Sequence, residues 1–194
     1  IFLNISGTSQ VIPASEAAQF AEVPVNVTLL FSCEHYIAAA EAYLRVIERR
    51  IAAGLDPIVN SVASLFVSRW DVAVKDKVPQ ALRNRLGIAI AMRTYESYCN
   101  LLSSTRWQKL LSAGARPQRL LWASTGTKDP HASTTLYIEA LAAPDTINTI
   151  PETTLHAFAE HGKVGGVMPT NGGDAEALLH AQRVPAHTSI FRVR

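Results

Sequence analysis

Amides, small hydroxyls and a few cations recur in this sequence at one kind of place, inside or just after short apolar runs. Asn4 interrupts IFLNIS, Asn26 and Thr28 stand two apart in VPVNVTLLFS, and Ser64 lies within SVASLFVSRW with Arg69 close behind. Ser124 and Lys128 close RLLWASTGTK, and Asn148 falls in INTIP. Side chains two apart on a strand share a face, so Asn26 and Thr28 present an amide and a hydroxyl together. A buried amide in an apolar strand must find a hydrogen-bond partner or cost roughly 1–3 kcal/mol, so Asn4 asks for one. Amides and hydroxyls that both donate and accept, joined by two cations, suit a polyhydroxylated anion. Any one of these residues could instead cap the helix that follows. The same habit at five strands points to a shared site.

Other chemistries have less behind them. Neither GxGxxG nor GxxxxGK[ST] occurs, so nucleotide binding through those loops is not expected. The six histidines form no HExxH pair, and His156 and His161 are five apart, which does not align them on a helix; each reads as a surface or helix-end residue. Trp70, Trp107 and Trp122 read as packing residues rather than a base-stacking platform. The net charge of +2 is spread without a Lys/Arg block, so no nucleic-acid partner is expected, while a small anionic ligand remains in view. Cys33 and Cys99 lack metal or CxxC spacing and suit two reduced thiols in a cytoplasmic protein. No apolar run reaches membrane-spanning length.

At 194 residues, 48% hydrophobic and 18% charged, the chain can bury a substantial core as one domain. Short apolar runs alternate with helix-length segments, the pattern of parallel βα units. Five strands are predicted, at residues 1–5, 25–30, 62–67, 120–124 and 146–150, each apolar enough to be covered on both faces and each followed by a helix. Ile37, Ala40, Leu44, Ile47 and Ile51 recur at helical spacing between an N-cap at Ser32 and a stop at Gly54. Ile88, Met92, Tyr95, Cys99 and Leu102 mark a second long helix, and residues 105–113 a shorter one ended by Gly114. Further helices are expected over 130–141, from Pro151, and from Asp174 to about Gln182. Ligands of parallel α/β folds bind at the carboxyl ends of strands, where the polar residues above would gather.

With those strings assembled, the sequence resembles the transaldolases, in particular their bacterial branch, through VNVTLLFS, SVASLFVSRWD, RPQRLLWASTGTKDP and PDTINTIPE. The likeness runs from Ile1 to about Glu176. It implies a class I aldolase-like (β/α)₈ TIM barrel in which a lysine forms a Schiff base with a ketose phosphate, without a cofactor. The dihydroxyacetone unit of sedoheptulose 7-phosphate or fructose 6-phosphate then passes to an aldose phosphate, in the pentose phosphate pathway. By position, the resemblance places Asn4 where the family has its Schiff-base lysine, ahead of a Gly7-Thr8 turn. Asn26 takes the place of a substrate-contacting asparagine, Thr28 of the threonine that positions the catalytic water, and Ser64 of a serine near the glycerone end. Arg69 matches a phosphate-binding arginine, Ser124 a phosphate or hydroxyl contact, and Lys128 a phosphate contact inferred from loop position and charge.

The resemblance also carries departures. It is to the family from its fourth strand onward, so the chain reads as a single, incomplete barrel domain of about five βα units with the first three strands, and the acid and base they bear, missing. Residues 184–194, within RVPAHTSIFRVR, do not look like the family's closing helix. An asparagine amide, its lone pair delocalised, cannot act as the Schiff-base amine, so the chain is expected to be inactive unless Lys128 is recruited instead. The alternative expectation is a non-catalytic sugar-phosphate binder, or a fragment without independent function. An open sheet leaves unpaired edges, which invite self-association.

Overall fold

The computed structural model of the chain describes residues 1–181. Its architecture is α/β. Strands β1 (Leu3–Ser6), β2 (Val25–Leu30), β3 (Ser61–Phe66), β4 (Arg119–Ala123) and β5 (Ile147–Asn148) form one five-stranded sheet in chain order, and β1 with β2, β2 with β3, and β4 with β5 run parallel. Such a sheet, with helices between successive strands, is consistent with part of a TIM-like barrel. Chain contacts divide it into two compact units, one of Ile1–Leu65 with Ser97–Leu120, the other of Phe66–Glu96 with the described residues from Leu121 onward.

In the first unit, α1 (Ile12–Phe20) follows β1 and α2 (Cys33–Ala52) follows β2. Ser32 caps α2 by accepting a hydrogen bond from His35 N at 3.2 Å, and Gly54, at φ 69°, leads the chain away from it. Helix α4 (Leu86–Ser103) is followed by α5 (Thr105–Ser112), whose cap Ser104 accepts from Trp107 N. Tyr43, Leu44 and Ile47 of α2 pack with Val59, Trp107, Leu110 and Ala115 into an apolar cluster. The Tyr43 hydroxyl, its acidity weakened by burial, is shared between the carbonyls of Val59 (2.9 Å) and Arg116 (2.7 Å). Tyr43→Phe strands both carbonyls, and is expected to lower unfolding free energy by about 1–2 kcal/mol in urea melts.

The second unit holds α3 (Ser68–Val74), a 3₁₀ turn (Gln80–Leu82), the start of α4, and α6 (Leu136–Ala140), α7 (Glu152–His161) and α8 (Ala175–Ala181). Asp71 of α3, only 3% exposed, accepts hydrogen bonds from Leu86 N (3.0 Å), Gly87 N (3.3 Å) and the Tyr137 hydroxyl (2.7 Å). It therefore satisfies the first amides of α4, which have no partner within their own helix. The approach is close enough to require glycine at 87: a Cβ there would lie 2.5 Å from Val67 O and 2.7 Å from Asp71 Oδ2.

Several expectations need correction. The first strand is not fully buried: Phe2 and Leu3 are 44% and 50% exposed, because β1 has a neighbour on one side only among the described residues. The helix expected over 130–141 shrinks to α6. Ahead of it, Asp129 Oδ1 accepts from His131 N, Thr127 Oγ1 donates to Ser133 O, and Ser133 pairs with Thr135, so side chains bind the backbone that a helix would have needed. Pro151 stands just before α7, its carbonyl accepting from Leu155 N, and Asp174 does the same for α8 through Leu178 N. Residue 182 and the stretch 184–194 lie outside the described residues. The three tryptophans are buried, as packing residues should be, and neither cysteine is in a disulfide. Among the described residues no helix is long and apolar enough to cross a membrane.

Candidate functional site

Parallel pairing sets Asn4 of β1 beside Asn26 of β2, and Asn26 beside Val62 of β3. Ser64, two residues beyond Val62, shares that residue's face. A row of hydrogen bonds results: Ser64 Oγ donates to Asn26 Oδ1 at 2.7 Å, and Asn26 Nδ2 donates to Asn4 Oδ1 at 3.0 Å. The hydroxyl of buried Ser64 is satisfied by an amide, and that amide by the exposed one at position 4. Asn4 keeps its own N–H donors for solvent or a ligand. Thr28, half-buried beside Ser6, makes no side-chain hydrogen bond among the described residues, so its hydroxyl is also uncommitted. Just past it the β2–β3 register shifts and Leu29 turns to φ 59°, ending the regular ladder. Three of the four residues expected to be catalytic are thus in one hydrogen-bonded row, and Thr28 is two residues from Asn26 on the same strand.

The second unit carries the residues expected to hold phosphate. Ser124, at φ 56°, follows β4 directly; its hydroxyl lies 3.0 Å from that of Ser68, and its carbonyl accepts from Ser68 N. Arg69 lies on the first turn of α3, not on the preceding strand, and is exposed with its guanidinium 5.0 Å over the Phe66 ring. Thr125, buried, donates to Asn148 Oδ1 at 2.7 Å, so Asn148 serves a neighbouring turn. Lys128 is exposed and lines a cavity of about 330 Å³, together with Asp71, Lys75, Arg83, Asn84 and Tyr137 among others. Ser68 also lines it, whereas Arg69 and Ser124 do not. The phosphate trio is therefore split: Ser124 pairs with Ser68, Lys128 borders the cavity, and Arg69 stands apart on Phe66.

Burial pushes the Asp71 carboxyl above its ordinary range, against the opposing pull of its hydrogen bonds from Tyr137, Gly87 and Leu86. Asp129 is held below the usual range by His131 N and the Asn84 amide. A carboxyl whose folded pKa is raised favours folding most when protonated, and that contribution is lost as pH rises through the folded value. Asp71→Asn can still accept the two amides and can donate to Tyr137, so it should escape this loss. Its thermal midpoint relative to the unaltered chain is expected to rise as pH goes from about 3 to 7. A difference that stays flat, or falls, over that window would contradict the assignment.

Asp71, Ser68, Asn84 and Thr125 were not anticipated. Thr125 and Ser68 directly adjoin residues that were, and adjacency was the available signal; the Asp71–Gly87–Tyr137 contact spans 66 residues and left none. Among the described residues no group of three or more His, Cys, Asp or Glu side chains is placed to hold a metal ion.

The comparisons with known proteins bear on this geometry. The sequence profile of the Transaldolase/Fructose-6-phosphate aldolase family matches residues 1–189. A transaldolase of Parafrankia sp. (strain EAN1pec) is 45% identical over 188 residues, covering 92% of this chain and 51% of the relative. One from Thermobifida fusca is 44% identical over 174 residues, 86% of this chain and 47% of its own. Transaldolase 2 of Nostoc punctiforme is 39% identical over 203 residues, 95% of this chain and 53% of its own. The relatives are named transaldolases, and the chain spans about half the length of each. The strings that carry the resemblance, a profile match along nearly the whole length and a parallel α/β sheet agree: the chain belongs to the transaldolase/fructose-6-phosphate aldolase family.

Proposed function

We propose that this chain is the part of a transaldolase-type barrel that holds a ketose phosphate, and that it does not carry out the family's transfer because Asn4 stands in the place of the Schiff-base lysine. In that reaction an uncharged amine attacks the ketose carbonyl and water leaves. The bond beyond the dihydroxyacetone unit then breaks, releasing an aldose phosphate. The remaining enamine carbon attacks a second aldose phosphate, and hydrolysis returns the amine. Each step needs a nitrogen lone pair that the Asn4 amide has given to its carbonyl. On this reading Asn26 and Ser64 meet the sugar's hydroxyls and glycerone end, Thr28 holds water, and Arg69, Ser124 and Lys128 meet phosphate.

The observation that carries the reading is the Ser64–Asn26–Asn4 row, which supports position 4 as one member of a hydroxyl-binding strip even without the lysine. Calorimetric titration with fructose 6-phosphate, run beside an assay for released aldose phosphate, tests it. Binding without turnover is expected. Turnover by the unaltered chain would overturn the claim of inactivity, and absence of binding would favour a fragment with no independent role.

A further inference from the structure

Asn171 is followed by two glycines, in the loop that leads into α8 and packs on α4 within the second unit. Both glycines have left-handed backbones, Gly172 at φ 74° and Gly173 at φ 52°. A Cβ on Gly172 would stand 2.6 Å from Glu96 Oε2, and one on Gly173 2.6 Å from Met92 Cε, so the packing demands glycine at both places. That demand has a chemical consequence. A residue with no side chain leaves its backbone nitrogen unhindered beside the side-chain carbonyl of the asparagine before it. Asn171 is exposed, and its Oδ1 accepts from Gly173 N at 3.2 Å, which folds the amide back over the Gly172 peptide. Gly172 N donates no hydrogen bond among the described residues, so no acceptor holds its proton. Glu96, half-buried, makes no hydrogen bond or ion pair among them either. Its Oε2 lies against a point two bonds from the Gly172 nitrogen, within reach of that proton directly or through one water.

We propose that Asn171 is a self-modification site, at which the folded chain converts the side-chain amide to aspartate or isoaspartate with Glu96 as the proton acceptor. Gly172 N gives its proton to the Glu96 carboxylate and forms a bond to Asn171 Cγ. The carbonyl electron pair moves onto Oδ1, where the Gly173 N–H that already holds this oxygen steadies the developing charge. The carbonyl then re-forms, the Cγ–Nδ2 bond breaks, and ammonia leaves with the proton returned by Glu96. Water opens the resulting succinimide at either carbonyl, giving aspartate or isoaspartate. The product sets a new carboxylate beside Glu96, where Arg85 and Arg93 meet Asp174 (3.9 Å) and Glu176 (3.5 Å) between α4 and the start of α8. None of this depends on the sugar-phosphate reading.

Incubation of the full chain at mildly alkaline pH, folded in buffer and unfolded in urea, tests the proposal. Conversion at 171 would be followed by peptide mass and by labelling with an isoaspartyl methyltransferase, beside Glu96→Gln and Glu96→Asp, with near-ultraviolet circular dichroism to establish that each variant is folded. The folded chain is expected to convert Asn171 at least as fast as the unfolded one. Asn60, also exposed but followed by Ser61 at the head of β3, should keep its amide in the folded chain. Glu96→Gln should slow conversion by roughly tenfold or more in the folded chain and not at all in urea, since only the fold brings residue 96 to residue 172. Glu96→Asp, which keeps a carboxylate, should retain part of the rate. A folded chain that preserves its amide while the unfolded chain loses it would overturn the proposal, and so would equal rates for folded Glu96→Gln and the unaltered chain.

Discussion

Asn4→Lys is expected to turn a chain that yields no borohydride-reducible sugar adduct into one that is modified at residue 4. Fructose 6-phosphate would be incubated with each protein, the imine reduced, and the modified residue mapped by peptide mass. The chemistry is a matter of lone pairs, because the asparagine amide has none to offer a carbonyl carbon while a deprotonated lysine amine does. In a hydrolase, removing the nucleophile alone lowers turnover by about 10⁶, so restoring one should have a large effect on the covalent step. The fold has room for the change, since Asn4 is exposed on β1 and the loss of its Oδ1 leaves only the half-buried Asn26 amide in want of an acceptor. The adduct should increase as pH rises toward the ordinary lysine pKa of about 10.4. The adduct, not turnover, is the proper readout, because it reports the covalent step alone. A reduced adduct on Lys128 of the unaltered chain would show that another amine had been recruited and that Asn4 had not silenced the site.

The largest loss of stability is expected at Trp122, which lies on β4 and is fully buried. Its carbonyl accepts from both the amide and the hydroxyl of Thr149, at 3.0 Å each, which ties β4 to the residue that follows β5. Trp122→Ala should cost about 3–5 kcal/mol through lost burial and the cavity left behind. Against a usual stability of about 5–15 kcal/mol that is a large share, and the melting midpoint should fall by about 10 °C. Trp122→Phe should behave differently. The indole N–H is buried with no hydrogen-bond partner among the described residues, so replacing it removes a desolvated donor at the same time as it thins the packing. The two effects oppose, and a net change below about 1.5 kcal/mol is expected in urea melts. Equal destabilisation by the two variants would mean that the N–H does have a partner.

Those two residues also show what could be read from the chain. The strand over 25–30 was predicted with the bounds it has, because VNVTLL is a compact β-rich run between a proline and a helix cap. Helix α2 was legible in the apolar spacing between Ser32 and Gly54, and α5 in the stretch that Gly114 ends. Helix α1 was not, because its buried face is partly polar: Ser15 and Gln19 are fully buried, and Gln19 Nε2 donates to Ser15 Oγ at 2.8 Å while Gln19 Oε1 has no partner among the described residues. Apolar spacing cannot find a helix face that buries polar residues. The loop ahead of α6 misled for the converse reason, as Asp129, Ser133 and Thr135 hold the backbone locally.

The row at the candidate site was half legible. That Asn26 and Thr28 share a face follows from strand geometry, but the bond from Ser64 to Asn26 depends on register between residues 38 positions apart. The sequence by itself determined the family, the alternation of strands and helices, and the amide at position 4 inside an apolar run, since these depend on residue type and local order. Only the tertiary structure decided that Asn4 shares hydrogen bonds with Asn26, that Asp71 anchors α4, and that Lys75 and Arg83 join Lys128 around one cavity. Those are relations across distant segments. They depend on register and packing, which the whole chain sets and no short stretch of it encodes.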